Sequence, residues 1–301
     1  MANSGVIRAT VATFLTFAAA VPLLPAATGG DGSSVPAAAR PSVQRAWKTI
    51  EKLASSGNPQ HRKYSAAAYA LLVQKHDRAR ESIKSLLRTD HDTEVRAFTA
   101  AALGQERARK AIPMLREAMD DPSAPVAFAA AKALWDMGDH SGAIVFEEVL
   151  TGARKDSRSL VNTYISNARH TMHDPKALAM MGVKEATSAF FGPAGMAISF
   201  AQESMKDKGA AGRAYAAGAL ADDHSTKSRE ILENALQDSS PLVRAAACRS
   251  LAILKDRRSL VFLEPVLDDD NEGAQAMASA AYIRLSEPGG AKKTKPASKK
   301  G

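Results

Sequence analysis

The chain has 301 residues, of which 45% are hydrophobic and only 5% aromatic, and it carries a formal net charge of +8. This length is typical of one or two domains, and long stretches of Ala, Leu, Glu, Lys and Arg favour helices over strands. Arg8 and the five lysines of residues 291–301 carry six of the positive charges. The body of the chain is therefore nearly neutral, which argues against a basic folded surface for nucleic acid.

Residues 1–27 have the layout of a secretory signal peptide. Arg8 makes the start positive, residues 9–24 are apolar or small, and two alanines before residue 28 suit cleavage. The apolar stretch is short for a membrane span of about 20 residues, and prolines interrupt it; a retained anchor is the alternative. Residues 28–40 are rich in Gly, Ser and Pro and predict a flexible linker. We expect an exported protein, periplasmic or extracellular, with the signal peptide cleaved.

The chain repeats itself with a period of 31 residues. Residues 229–238 (REILENALQD) match residues 260–269 (LVFLEPVLDD), so that Leu232 corresponds to Leu263. The apolar stripe of the first stretch consists of Ile231, Leu232, Ala235 and Leu236. The helix that follows has a second stripe, formed by Val243, Ala246, Ala247, Leu251 and Leu254. A fixed period with helical spacing predicts a solenoid, in which stacked units bury the stripes of successive helix pairs.

Three stretches share an aspartate, a following turn and an alanine-rich helix. They read DHDTEVRAFTAAAL (90–103), DPSAPVAFAAAKAL (121–134) and, directly after Asp238, SSPLVRAAACRSL (239–251). This pattern resembles the HEAT repeat, especially the short bacterial form that is also found in phycobilin lyases. Arg96 and Arg244 match the arginine of the family, whereas Ala127 replaces it in the middle stretch.

The resemblance covers roughly residues 60–157 and 209–286. It implies an all-α fold, a right-handed α-solenoid of about five HEAT-like helix pairs over residues 41–287. It implies very little about function, because function depends on sites that differ among proteins of one fold.

An insert, residues 158–208, interrupts the repeat. Its centre, residues 175–207, is rich in Met and Phe and predicts an apolar helix pair. The first helix is expected to begin at Pro175 and to end at the Gly-Pro pair that follows Phe191. One interpretation is an irregular helix pair that packs into the solenoid and joins its halves. The other is an exposed apolar hairpin that docks a partner protein or a membrane surface.

The sequence carries no recognisable motif for catalysis, a cofactor or a metal. It lacks a phosphate-binding loop, a dinucleotide glycine motif, a CxxC pair and a GxSxG elbow. His170 and His173 share a helix face, but two ligands fall short of a stable metal site. The lone Cys248 lies among alanines and is interpreted as a packing residue. We therefore predict no enzymatic activity, no catalytic residue, no cofactor and no metal.

The leading functional hypothesis is an exported, non-enzymatic scaffold that binds a protein partner on its solenoid surface and does not bind nucleic acid. The candidate contact residues, which lie off the main apolar stripes or in the insert, are Arg96, Lys132, Arg244, Arg249, Phe190 and Phe191. For Arg96 and Arg244, a structural bond to an aspartate in a neighbouring turn is the alternative.

Two other hypotheses remain open. One is an adaptor at the envelope surface, in which the Met/Phe hairpin and the Lys-rich tail make weak membrane contacts. This tail, residues 288–301, is basic and poor in apolar residues, so we expect it to be disordered. The other is an enzyme of the lyase kind, which needs a pocket with converging polar groups.

Overall fold

The computed structural model describes residues 41–151, 153, 207 and 209–287, which belong to one compact unit, Pro36–Gly301. The predictions for the signal peptide, the linker, the helix pair at 175–207 and the tail lie outside the described residues. Every regular element that is described is a helix. The α-helices are α1 (Pro41–Ala54), α2 (Pro59–Leu72), α3 (Asp77–Thr89), α4 (Thr93–Gln105), α5 (Ile112–Ala118), α6 (Ala124–Asp136), α7 (Ala143–Thr151), α8 (Ala210–Ala219), α9 (Thr226–Ala235), α10 (Pro241–Leu254), α11 (Leu260–Leu263) and α12 (Glu272–Ser286).

Short 3₁₀ helices shape several of the connections. They are Arg109–Ala111, His140–Gly142, Leu220–Asp222, Arg257–Ser259 and Pro265–Asp268. None of the helices in the described part of the chain is long and apolar enough to cross a membrane.

Polar residues in the turns define where the helices begin. Asp92 accepts hydrogen bonds from two backbone N–H groups of the first turn of α4, and Asn271 does the same for α12. Pro241 takes the first position of α10, where its missing N–H costs nothing. Ser240 is the N-cap of α10 but makes no side-chain cap bond; its own N–H donates to Asp238 at 2.8 Å.

Consecutive helices pack as pairs, which confirms the predicted solenoid of helix pairs. The described residues contain five complete pairs: α1 with α2, α3 with α4, α5 with α6, α9 with α10, and α11 with α12. The 31-residue period corresponds to equivalent core positions, since Leu232 and Leu263 are both fully buried. The hand of the solenoid stays a prediction.

The helix pairs form two blocks, residues 41–151 and 209–287, which do not stack in chain order. The second helices of the pairs form one row, in which α8, α10, α12, α2, α4 and α6 follow one another as neighbours. Helix α12, the last of the described chain, packs against both α1 and α2, the first two. The C-terminal block (209–287) therefore adds to the N-terminal end of the first block (41–151). Successive units stack within each block, as expected, but the blocks meet where the described chain begins and ends.

The interior helices of this row are buried on almost every side, whereas α8 at its end keeps an exposed face that includes Tyr215. In α10 the predicted stripe is buried, and so are residues outside it, namely Leu242, Ala245, Cys248 and Ala252. The reason is that α10 lies between α8 and α12 and is also covered by α9. Cys248 is fully buried, which confirms its role as a packing residue.

The first helices of the pairs keep one exposed face. In α9, Leu232 and Leu236 of the predicted stripe are buried, but Ile231 is 44% exposed. The prediction was wrong for Ile231, because α9 contacts the row on one side only and its stripe is narrower than the sequence pattern indicates.

Candidate functional site

A ladder of arginine–aspartate pairs connects successive units. Arg96 on α4 donates from Nε and Nη2 to the two carboxylate oxygens of Asp121, at 2.9 and 3.1 Å, and from Nη1 to the carbonyl of Asp90 at 2.8 Å. Asp121 also accepts the N–H of Ser123 at 2.8 Å. Each such aspartate thus holds the turn before the next helix of the row and binds the arginine of the previous one.

The same arrangement recurs at the fourth residue of three other helices of the row. The pairs are Arg62 with Asp90, Arg213 with Asp238, and Arg244 with Asp269. At the same position α6 has Ala127, and α12 has Gln275, whose side chain donates to the carbonyl of Leu267 at 3.0 Å. The hydrogen bonds to Asp121 and Asp269 raise the pKa of Arg96 and of Arg244 above the ordinary value.

Four of the six predicted contact residues lie in the described part of the chain, and all four are paired. Arg96 and Arg244 make the bonds to neighbouring turns that were their alternative role. Arg249 donates from Nε to Glu106 at 2.6 Å, and both side chains are largely buried. Lys132 pairs with Asp136 on an exposed part of α6. Phe190 and Phe191 lie outside the described residues. Contact of these residues with a partner stays a prediction.

The structure points to a different site, a cleft between α1 and α3. The cleft encloses about 550 Å³ and is open to solvent. We call it the α1–α3 cleft; its lining residues are Gln44, Trp47, Lys48, Lys75, His76, Asp77 and Arg78. It lies on the first helices of the pairs, away from the alanine-rich row.

Trp47 and its neighbours form the rigid wall of the cleft. Trp47 itself is only 6% exposed. The ring of His76 meets it edge to face with centroids 5.4 Å apart, and the guanidinium carbon of Arg78 lies 4.8 Å from its ring centroid. Arg78 Nε in turn donates to Glu51 at 2.6 Å. Edge-to-face and cation–π contacts hold these groups in one geometry.

The rim of the cleft carries three cationic side chains, Lys48, Lys75 and Arg78, and one carboxylate, Asp77. Lys75 Nζ and His76 Nε2 lie 3.2 and 3.0 Å from the carboxylate of Glu287, just beyond the end of α12. Burial lowers the pKa of His76, and Glu287 opposes this effect. His76 is also the N-cap of α3 but makes no side-chain cap bond. Lys48 is exposed, and no carboxylate of the described residues lies within ion-pair distance of it.

Sequence reasoning missed every residue of this cleft. Two signals were present: Trp47 is one of only two tryptophans, and the basic run Lys75-His76 precedes Arg78 by two residues. The repeat pattern drew attention to the second helices instead. Only the packing of α1, α2 and α3 brings Trp47 to His76.

The stacked helix pairs and their Arg–Asp ladder define a helical-repeat protein. A family model described as HEAT repeats matches residues 46–135, 81–162 and 199–283, which is more than half of the chain. The chain therefore belongs to the HEAT repeat family, as the sequence pattern predicted.

One solved structure and the curated proteins complete the comparison. A structure of human deoxyhypusine hydroxylase in complex with glycerol is 18% identical, with 81% of this chain and 96% of that chain covered and a TM-score of 0.32. No curated protein matches the chain. Within the described residues, no three His, Cys, Asp or Glu side chains are grouped so that they could hold a metal ion.

Proposed function

We propose that this protein is an exported, non-enzymatic scaffold that binds a protein partner through the α1–α3 cleft. The observation that carries the proposal is the cleft itself, an open site with a rigid Trp47–Arg78 wall and an exposed cationic rim. Trp47 is buried and supports the exposed guanidinium of Arg78, and arginine is one of the side chains that are enriched among the residues that dominate protein interfaces. Export is supported by the signal-peptide pattern of residues 1–27.

The inner row of helices is a less suitable docking surface. Its residues between α2, α4, α10 and α12 enclose a space of only about 10 Å³. Arg249 and Glu106 bridge this space, and alanines of α2 and α4 line it. A partner segment at this position has to break a largely buried ion pair, whereas the α1–α3 cleft is already open.

Site-specific photo-crosslinking tests the proposal. A photoreactive phenylalanine derivative replaces Gln44 at the rim of the cleft, and the control places it at Lys227, an exposed residue of α9. We expect one envelope protein to be crosslinked from position 44 and not from position 227, and the same protein to bind the purified chain. A second variant, Arg78→Glu, should abolish the crosslink while the helical circular dichroism stays unchanged. Equal crosslinking from both positions, or none from position 44, would overturn the proposal.

A further inference from the structure

We propose that the α1–α3 cleft recognises an acidic segment of the partner, whose carboxylates bind to Lys48, Lys75 and Arg78. The inference rests on the proposed function and adds the chemistry of the bound segment. These cations come from two parts of the chain, α1 and the start of α3 with the turn before it, and the fold brings them to one opening.

Lys48 gives the cleft an excess of positive charge. Lys75 pairs with Glu287, Arg78 with Glu51, and Asp77, the one carboxylate of the lining, with Arg80 on its own helix. No carboxylate of the described residues lies within ion-pair distance of Lys48. Lys48, Lys75 and Arg78 are all exposed, so that an incoming anion reaches them without displacing the core. Complementary charge steers a partner to such a site and fixes its orientation.

The protein already places carboxylates on this rim. Glu51 accepts a hydrogen bond from Arg78 Nε at 2.6 Å, and the carboxylate of Glu287 lies 3.2 Å from Lys75 Nζ. An arginine that is held over an aromatic ring keeps its planar donor groups in a fixed direction, which suits a carboxylate. An external carboxylate at Arg78 or Lys75 therefore shares the cation with an internal carboxylate, whereas Lys48 has none within ion-pair distance among the described residues.

The size of the cleft favours an extended segment over a single small anion. Its volume is about 550 Å³, and one water molecule takes only about 30 Å³, so the cleft has room for several side chains. An extended chain advances about 3.3 Å per residue with side chains on alternate sides. Neighbouring carboxylates of such a segment can therefore meet cations from α1 and α3 together.

Trp47 offers a direct reporter of binding. The chain has two tryptophans, Trp47 in the cleft wall and Trp135 at the end of α6. In the full chain with Trp135→Phe, tryptophan emission comes from the cleft alone.

The experiment titrates this chain with an octaglutamate peptide and, separately, with octaglutamine at the same ionic strength. Two further variants test the charges: Lys48→Gln with Lys75→Gln together, and Glu51→Gln, which frees Arg78 from its internal partner. The controls are Lys227→Gln on α9 and a chain in which the five lysines of residues 291–301 are changed to Gln.

We expect octaglutamate, and not octaglutamine, to change Trp47 emission in a saturable way. The Lys48/Lys75 variant should bind at least about fivefold more weakly, and both controls within about twofold of the parent, since exposed charges act locally at ordinary salt. Glu51→Gln should bind about twofold more tightly. This gain cannot result from damage to the fold.

Three outcomes would overturn the inference. The first is equal octaglutamate affinity in the parent and in the Lys48/Lys75 variant. The second is loss of binding in the tail variant alone. The third is cleft-dependent binding of inorganic phosphate or of phosphatidylglycerol vesicles, with no response to octaglutamate. If crosslinking at position 44 still captures one partner, the scaffold function stands and only the acidic nature of the segment is refuted.

Discussion

Arg249 Nε on α10 lies 2.6 Å from Glu106 Oε1 at the end of α4, although the two residues are 143 positions apart in the chain. Helices α12 and α2 lie between α10 and α4 in the row. The pair therefore spans the junction of the two blocks. Close to this junction, Arg284 of α12 donates to the carbonyl of Leu71 on α2 at 2.9 Å.

Loss of Arg249 should destabilise the whole helix row. Arg249→Gln leaves the carboxylate of Glu106 largely buried without its partner, which we expect to cost about 1–3 kcal/mol of unfolding free energy. Urea unfolding of the full chain measures the loss. Lys132→Gln, which removes an exposed pair, is the control and should change stability by about 0.5 kcal/mol or less. A loss no greater than that of the control would show that the bridge contributes nothing to the junction.

The rungs of the Arg–Asp ladder should differ in strength according to their burial. The side chain of Arg96 is 13% exposed, whereas that of Arg213, at the same position of its helix, is 42% exposed. We expect Arg96→Ala to cost about 2–4 kcal/mol, because the largely buried carboxylate of Asp121 then loses its guanidinium partner. Arg213→Ala should cost under about 1 kcal/mol, because water screens this more exposed pair. Urea denaturation of the two variants measures these losses of unfolding free energy. Similar losses in the two variants would contradict this ranking.

The protein should lose stability as the pH falls below about 6.5, partly through His76. Burial lowers the pKa of His76 in the folded protein, Lys75 and Arg284 act in the same direction, and Glu287 acts against them. The unfolded chain, with a histidine pKa near 6.5, then binds the proton first, so protonation favours unfolding.

A comparison of melting temperatures at pH 7.5 and 5.5 measures this effect. His76→Phe keeps a ring against Trp47 but cannot be protonated, so the difference between the two pH values should shrink. His91→Phe is the control, since His91 is 81% exposed. If His76→Phe shows the full decrease of the unmodified chain, His76 is not the group responsible.

Substitution by alanine should affect stability differently at two glycines, Gly104 and Gly57. A Cβ atom at Gly104 would lie 2.7 Å from Ala133 Cβ and 2.8 Å from Ala133 Cα, between α4 and α6. Backbone atoms cannot move aside as the end of a flexible side chain can, so Gly104→Ala should lower the free energy of unfolding by about 1–3 kcal/mol. At Gly57, nothing lies within 4 Å of an added Cβ. There, alanine should be neutral or stabilise by up to about 1 kcal/mol, because it restricts the unfolded chain.

Thermal and urea unfolding of the two glycine variants provide the measurement. The result that would refute the close approach of α4 and α6 is an unchanged stability of Gly104→Ala. A large loss at Gly57 would mean that its turn requires glycine for another reason.

The local features of this fold could be predicted from its sequence. Period, helical spacing and turn residues are properties of neighbouring positions, and so the helix pairs, the start of α10 at Pro241 and the burial of Cys248 follow from them. The exposure of Ile231 did not follow, because it depends on how much of α9 the adjacent helices cover.

The order of the blocks and the cleft were decided only by the tertiary structure. Every unit of the repeat has similar apolar faces, so the sequence does not determine which helix packs on the other side of α12 from α10. In the tertiary structure this neighbour is α2. The same packing lets Arg249 reach Glu106 and brings Glu287 to Lys75. Charges that are distant in the chain carry no pattern that marks them as neighbours, which is why the sequence predicted the helix pairs but not the cleft between α1 and α3.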